Sequence, residues 1–64
     1  MKPLLKSLPD DGEIYLVFDA PTTEADAKAR FRSRFGYGAD AVFWYNRQLW
    51  LGPVEEKSLM VGLA

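Results

Sequence analysis

Between Val42 and Leu51 apolar side chains do not alternate with polar ones; they fill nearly every position, broken only by Asn46, Arg47 and Gln48. Such a run reads as a β-hairpin whose two-residue turn is Asn46-Arg47, pairing Tyr45 with Gln48, Trp44 with Leu49, Phe43 with Trp50 and Val42 with Leu51. Strand alternation sorts these residues into two faces. Val42, Trp44, Leu49 and Leu51 form a uniformly apolar set suited to a core. Phe43, Tyr45, Gln48 and Trp50 form a second set of aromatics with one polar member. One helix can hide only one face of a small sheet, so the second set is the candidate working surface.

Upstream, Glu13-Ile14-Tyr15-Leu16-Val17-Phe18-Asp19 has the β-branched and aromatic content of a strand. Ile14, Leu16 and Phe18 fall on one side, Tyr15 and Val17 on the other. Both sides are apolar, which places this strand inside a sheet rather than at its border. A helix is predicted over about 23–35, opened by a threonine cap at Thr22-Thr23 with Glu24 favouring its positive end, and closed by Gly36. Ala27, Phe31 and Phe35 make its apolar stripe. They are expected over Ile14, Leu16, Phe18, Val42, Trp44, Leu49 and Leu51.

The remaining segments are less regular. Residues 1–12 read as an arm, since Pro3, Pro9 and the Asp10-Asp11-Gly12 turn signal interrupt regular structure, although Leu4, Leu5 and Leu8 can still pack. After Gly52-Pro53 the tail 53–64 has two readings: a short helix over 54–60 stopped at Gly62, or an extended Leu59-Met60-Val61. The predicted fold class is therefore α+β, ordered β-α-β-β over a core of 13–52, with one helix on a three-stranded sheet. If the helix crosses between the first two strands in that sheet, they run parallel. The strand order stays open. No repeat or linker divides the chain, so residues 1–64 are read as one domain.

Composition narrows what such a domain can be. At 64 residues, folding buries only about 60% of the surface that the unfolded chain exposes. With neither Cys nor His, disulfide and zinc reinforcement are ruled out or improbable. No metal or cofactor is expected, and oligomerisation is the remaining route to added stability. A content of 48% hydrophobic residues is enough to form a core. The net charge of −1 gives no long-range pull toward nucleic acid or anionic membrane. Residues 1–9 lack a signal-peptide apolar run and no stretch approaches a membrane span, so a cytoplasmic location is expected.

Candidate chemistry is sparse. Lys28, Arg30, Arg32 and Arg34 put four positive charges in seven residues, but on two ridges, where Glu24 can pair with Lys28 and Asp26 with Arg30. A solvated helix face explains most of them; Arg30, Arg32, Arg34 and Arg47 are the candidate anion contacts. Gly36-Tyr37-Gly38-Ala39-Asp40-Ala41 imitates a dinucleotide fingerprint but follows a helix instead of preceding one, which removes its mechanism. Asp10-Asp11 and Glu55-Glu56 are adjacent in sequence, which says nothing about convergence in a cleft. Without an imidazole or a thiol, no enzyme and no small-molecule substrate are expected.

Function then rests on the aromatic face of Tyr15, Val17, Phe43, Tyr45, Gln48 and Trp50. Three readings compete. The arm or tail covers it; it packs against a second copy or another protein; or it stacks unpaired bases while the arginines contact phosphates. The leading expectation is a non-enzymatic interaction module, self-associating through this face. Single-stranded nucleic-acid binding is the alternative, which the net negative charge disfavours.

Overall fold

Asn46 and Arg47 both take positive φ, 53° and 63°, the type I′ geometry whose twist matches that of the flanking strands. In this computed structural model, which describes residues 3–58, the turn closes a hairpin of β3 (Ala41–Tyr45) and β4 (Gln48–Gly52). Its register pairs Tyr45 with Gln48, Trp44 with Leu49, Phe43 with Trp50 and Val42 with Leu51, as the alternation requires. The full order is β1 (Leu4–Ser7), β2 (Ile14–Asp19), α1 (Glu24–Phe35), β3, β4.

Among the described residues the sheet has four strands in the order β1-β2-β4-β3, every neighbour antiparallel, which corrects the three-stranded expectation. The added strand comes from the arm. Pro9-Asp10-Asp11-Gly12, read as a breaker, is a reversal that turns the chain back so that Leu4–Ser7 pairs with Val17–Ile14. Gly12 supplies the left-handed residue (φ 71°), its N–H donates to the Leu8 carbonyl at 3.2 Å, and the Asp11 carboxylate accepts the Glu13 N–H at 2.9 Å. β2 is interior, as its two apolar faces imply. β2 and β3 run in the same direction, each antiparallel to the β4 that lies between them.

Thr23 caps the helix, its Oγ1 accepting the Asp26 N–H at 3.2 Å, and Gly36 (φ 81°) closes it with its N–H donating to the Arg32 carbonyl at 2.8 Å. Ala27, Phe31 and Phe35 are its buried residues and meet Leu16, Phe18, Leu49, Leu51 and Val54 in the main core. Tyr37 folds over the end of the helix, with ring centroids 5.5 Å from Phe31 and 6.0 Å from Phe35. Its hydroxyl accepts the Glu55 N–H at 3.0 Å, tying the tail down on the helix side of the sheet. A helical turn begins at Glu56–Ser58; the proposed extended segment Leu59–Val61 lies outside the described residues.

Candidate interaction surface

The register builds the two faces row by row. On the helix side, one row crosses all four strands as Leu5, Leu16, Leu51 and Val42; on the opposite side the next row reads Leu4, Val17, Trp50 and Phe43. Tyr15 adds a third large ring on that opposite side. Its centroid lies 5.5 Å from Phe43 and 5.8 Å from Trp50, both edge-on, while Phe43 and Trp50 are stacked at 6.1 Å. Such offset and edge-on pairs contribute about 0.5–1.5 kcal/mol each beyond the area they bury.

The middle of the aromatic face is thereby closed within the chain. Tyr15, Val17 and Trp50 form a second buried cluster, against which Leu8 and the half-buried Phe43 pack. The Trp50 indole N–H donates to the Tyr45 carbonyl at 3.3 Å, so this ring leaves no polar group unsatisfied. Of the residues read as a working surface, Tyr15, Val17 and Trp50 are core, Phe43 and Gln48 are half-buried, and Tyr45 is exposed. Part of the covering comes from the arm through Leu8, whereas the described part of the tail packs on the other side through Val54.

Gln48, the one polar member of the face, is held from both directions. Its amide N–H donates to Asp19 at 2.7 Å and its oxygen accepts the Lys6 ammonium at 3.3 Å, a polar chain that joins β1, β2 and β4. The sequence gives no direct cue to this chain.

Tyr15 sits where ionisation of its side chain is disfavoured. Its hydroxyl, at the rim of the second cluster, donates to Asp11 at 3.1 Å and lies 3.4 Å from Glu13. Burial first, then the hydrogen bond and charge of Asp11, then Glu13, raise its pKa above 10.0. The folded chain therefore keeps a proton that the unfolded chain loses, so this contribution to stability is intact below pH 10 and is lost as pH rises beyond it. In a titration followed at the Tyr15 ring by NMR, Asp11→Asn with Glu13→Gln is expected to lower the Tyr15 midpoint. An unchanged Tyr15 midpoint in the double variant would contradict the part assigned to these two carboxylates.

One expectation is reversed at the hairpin tip. Trp44, assigned to the core, is 52% exposed although it shares a face with buried Leu49. The core under the helix is built on β2 and β4, and of the β3 residues Val42 alone packs against it, so the right face does not guarantee cover. Tyr45, on the opposite side of the same strand, is 51% exposed. The two rings flank the end of β3, which among the described residues pairs only with β4.

The two edges of the sheet differ in kind. β1 is four residues long, follows Pro3 and carries Lys6, which are devices that discourage strand addition. β3 is Ala-Val-Phe-Trp-Tyr, with no charge, proline or glycine. The turn fixes which of its peptide groups are in use. Tyr45 and Gln48 close a two-residue hairpin and exchange hydrogen bonds, so Tyr45, Phe43 and Ala41 address β4, and the N–H and C=O of Val42 and Trp44 point outward.

The charged candidates do not converge with the aromatics. Arg30 pairs with Asp26 at 3.2 Å and Lys28 with Glu24 at 3.6 Å, both exposed i,i+4 pairs of small energetic weight. The Arg34 guanidinium lies 5.6 Å from the Phe35 ring. Arg30, Arg32 and Arg34 belong to the helix layer, on the opposite side of the sheet from Tyr15, Phe43 and Trp50. Of the four arginines singled out, Arg47 alone adjoins the exposed Tyr45 end of the sheet. Among the described residues no cluster of carboxylates is placed to hold a metal ion, and no helix is long and apolar enough to cross a membrane.

The fold and site define a small α+β domain with a half-open aromatic edge. No protein-family model, curated protein or solved structure matches the chain.

Proposed function

We propose that this chain is a small non-enzymatic protein-binding module whose working surface is the outer edge of β3, with Trp44 and Tyr45 as anchors. The observation that carries the reading is the pairing of an uncharged strand edge with two half-exposed aromatic rings, one on each face of the sheet. Outward peptide groups at Val42 and Trp44 give an extended partner its hydrogen bonds, and the rings give it apolar contact. This is strand addition, in which the main chain supplies affinity and alternate side chains supply selectivity. The aromatic face keeps its role in the proposal, but through its rim rather than its centre.

A random-peptide phage library panned on the folded chain tests the reading, with bound peptides located by amide shifts in NMR. Selected peptides are expected to perturb Val42 and Trp44 most strongly, and Trp44→Lys is expected to abolish their binding while leaving the fold intact. Peptides that instead map to the helix arginines or to β1, or a failure to select any peptide from a chain that also stays monomeric, would overturn it.

A further inference from the structure

We infer that the partner fitting the β3 edge is the β3 edge of a second copy, joined antiparallel about a two-fold axis through Phe43 to make one continuous eight-stranded sheet. The inference rests on the reading of β3 as the binding edge and adds the partner and its register.

Hydrogen-bond phase leaves few choices. An antiparallel neighbour must place outward-facing residues opposite outward-facing residues, and in β3 these are Val42 and Trp44. For two identical strands this permits Val42 opposite Val42, Trp44 opposite Trp44, or Val42 opposite Trp44. The first two centre the axis near one end of the strand and leave two of its five residues without a partner inside β3. The third pairs all five and forms four main-chain hydrogen bonds, two at each Val42–Trp44 pair.

Side chains favour the same register. On the helix side it sets each exposed Trp44 ring beside the half-buried Val42 of the other copy. On the opposite side it brings the two Phe43 rings together at a non-hydrogen-bonded position, where Cα atoms approach to about 4.5 Å. There they would join the two Tyr15–Trp50–Phe43 clusters into one. Exposed Tyr45 meets Ala41, large against small. The nearest charges beyond the strand ends are Asp40 on one side and Arg47 on the other. The two-fold carries each toward its opposite in the second copy, so the contact has no like-charge cost. Both helices then stand on the same side of the joined sheet. An interface of one strand pair is at the small end of specific contacts, so the dimer is expected to be weak and to form as concentration rises.

The absence of cysteine from the chain makes the register directly testable. Light scattering over a wide concentration range should show reversible dimerisation that Trp44→Lys removes. Single-cysteine variants Val42→Cys, Phe43→Cys and Trp44→Cys are then oxidised. Only Phe43→Cys places two sulfurs directly opposite, so it alone should give a covalent dimer in high yield. Because Phe43→Cys removes a half-buried ring, the wild type is examined in parallel. In a mixture of isotope-labelled and unlabelled chains, intermolecular contacts between the Phe43 rings and between Trp44 and the Val42 methyls are expected.

A dimer that cross-links through residue 42 or 44 in preference to 43, or whose intermolecular contacts lie elsewhere, overturns the register while leaving β3 as a binding edge. A chain that stays monomeric yet binds selected peptides along β3, or whose β3 contacts come from its own residues 59–64, overturns the second copy as partner. A monomer that selects no peptide removes both this inference and the reading beneath it.

Discussion

Trp50→Ala will remove a large part of the domain's stability, whereas Trp44→Ala will leave it nearly unchanged. Trp50 is 5% exposed and touches three aromatic rings, Tyr15, Phe43 and Tyr45, at centroid distances of 5.7 to 6.1 Å, while spending its N–H on the Tyr45 carbonyl. Truncating a buried Trp or Phe to alanine costs about 3–5 kcal/mol. A domain of this length has roughly 3–10 kcal/mol in total, at about 0.05–0.15 kcal/mol per residue. The loss is therefore a large part of the whole. Trp44 stands half in water on an outer strand, and its removal should change stability by less than about 1 kcal/mol. Urea denaturation followed by circular dichroism reads both variants. If Trp44→Ala were the more damaging, the two faces of the hairpin would be assigned the wrong way round.

The contrast between the tryptophans shows how far the residue pattern reaches. Alternation gave the hairpin register correctly, because a two-residue turn leaves a strand pair one way to align. It also separated the faces correctly. It could not say which residues of a face are covered, since cover depends on where the helix axis lies and where the arm goes. Trp44 and Leu49 are direct neighbours on one face, yet the one is exposed and the other wholly buried. The helix was legible through its cap, its closing glycine and the Ala27–Phe31–Phe35 stripe, each a local signal. The first strand was not, because Leu4–Ser7 is too short to show a period and its neighbouring prolines read as breaks. Its signal was the Asp10-Asp11-Gly12 turn, which reverses a chain between two strands as readily as it ends one.

Burying part of the second face is what the extra strand accomplishes. A helix on a small sheet supplies one core; Leu8 and the rings of Tyr15, Phe43 and Trp50 supply another on the far side. Apolar surface that the sequence offers in excess is thus mostly consumed inside the chain. Among the described residues, what is left over collects at the rim, on Trp44 and Tyr45 and at the other edge on Leu4 and Leu5. On the proposed reading, the charge carried by β1 and lacking in β3 makes the β3 rim the one that suits a partner.

Gly52→Ala is expected to destabilise the domain by about 1–3 kcal/mol, the usual cost of forcing atoms into a filled site. The position needs space rather than unusual backbone angles. A Cβ there would lie 2.8 Å from Cδ2 of Tyr15 and 3.2 Å from both the Ile14 carbonyl oxygen and the Val54 nitrogen. The last two atoms belong to a main-chain hydrogen bond that fastens the tail to β2, so neither can yield without weakening it. The Tyr15 ring is equally confined, wedged against Phe43 and Trp50 and held at its hydroxyl by Asp11. Glycine at the end of β4 therefore lets a ring from β2 lie across the neighbouring strand and close the second core. Tyr15→Val, which lacks the δ atoms, separates the two sources of strain. If the ring is the main obstacle, Gly52→Ala will cost less in the Tyr15→Val background than in the wild type, with a coupling of roughly 0.5–3 kcal/mol. Denaturation of the four chains of that cycle, in a stabilising osmolyte if the double variant needs it, gives the number. Equal costs in both backgrounds would place the obstacle in the main chain at Ile14 and Val54, and the ring would have no part in selecting glycine.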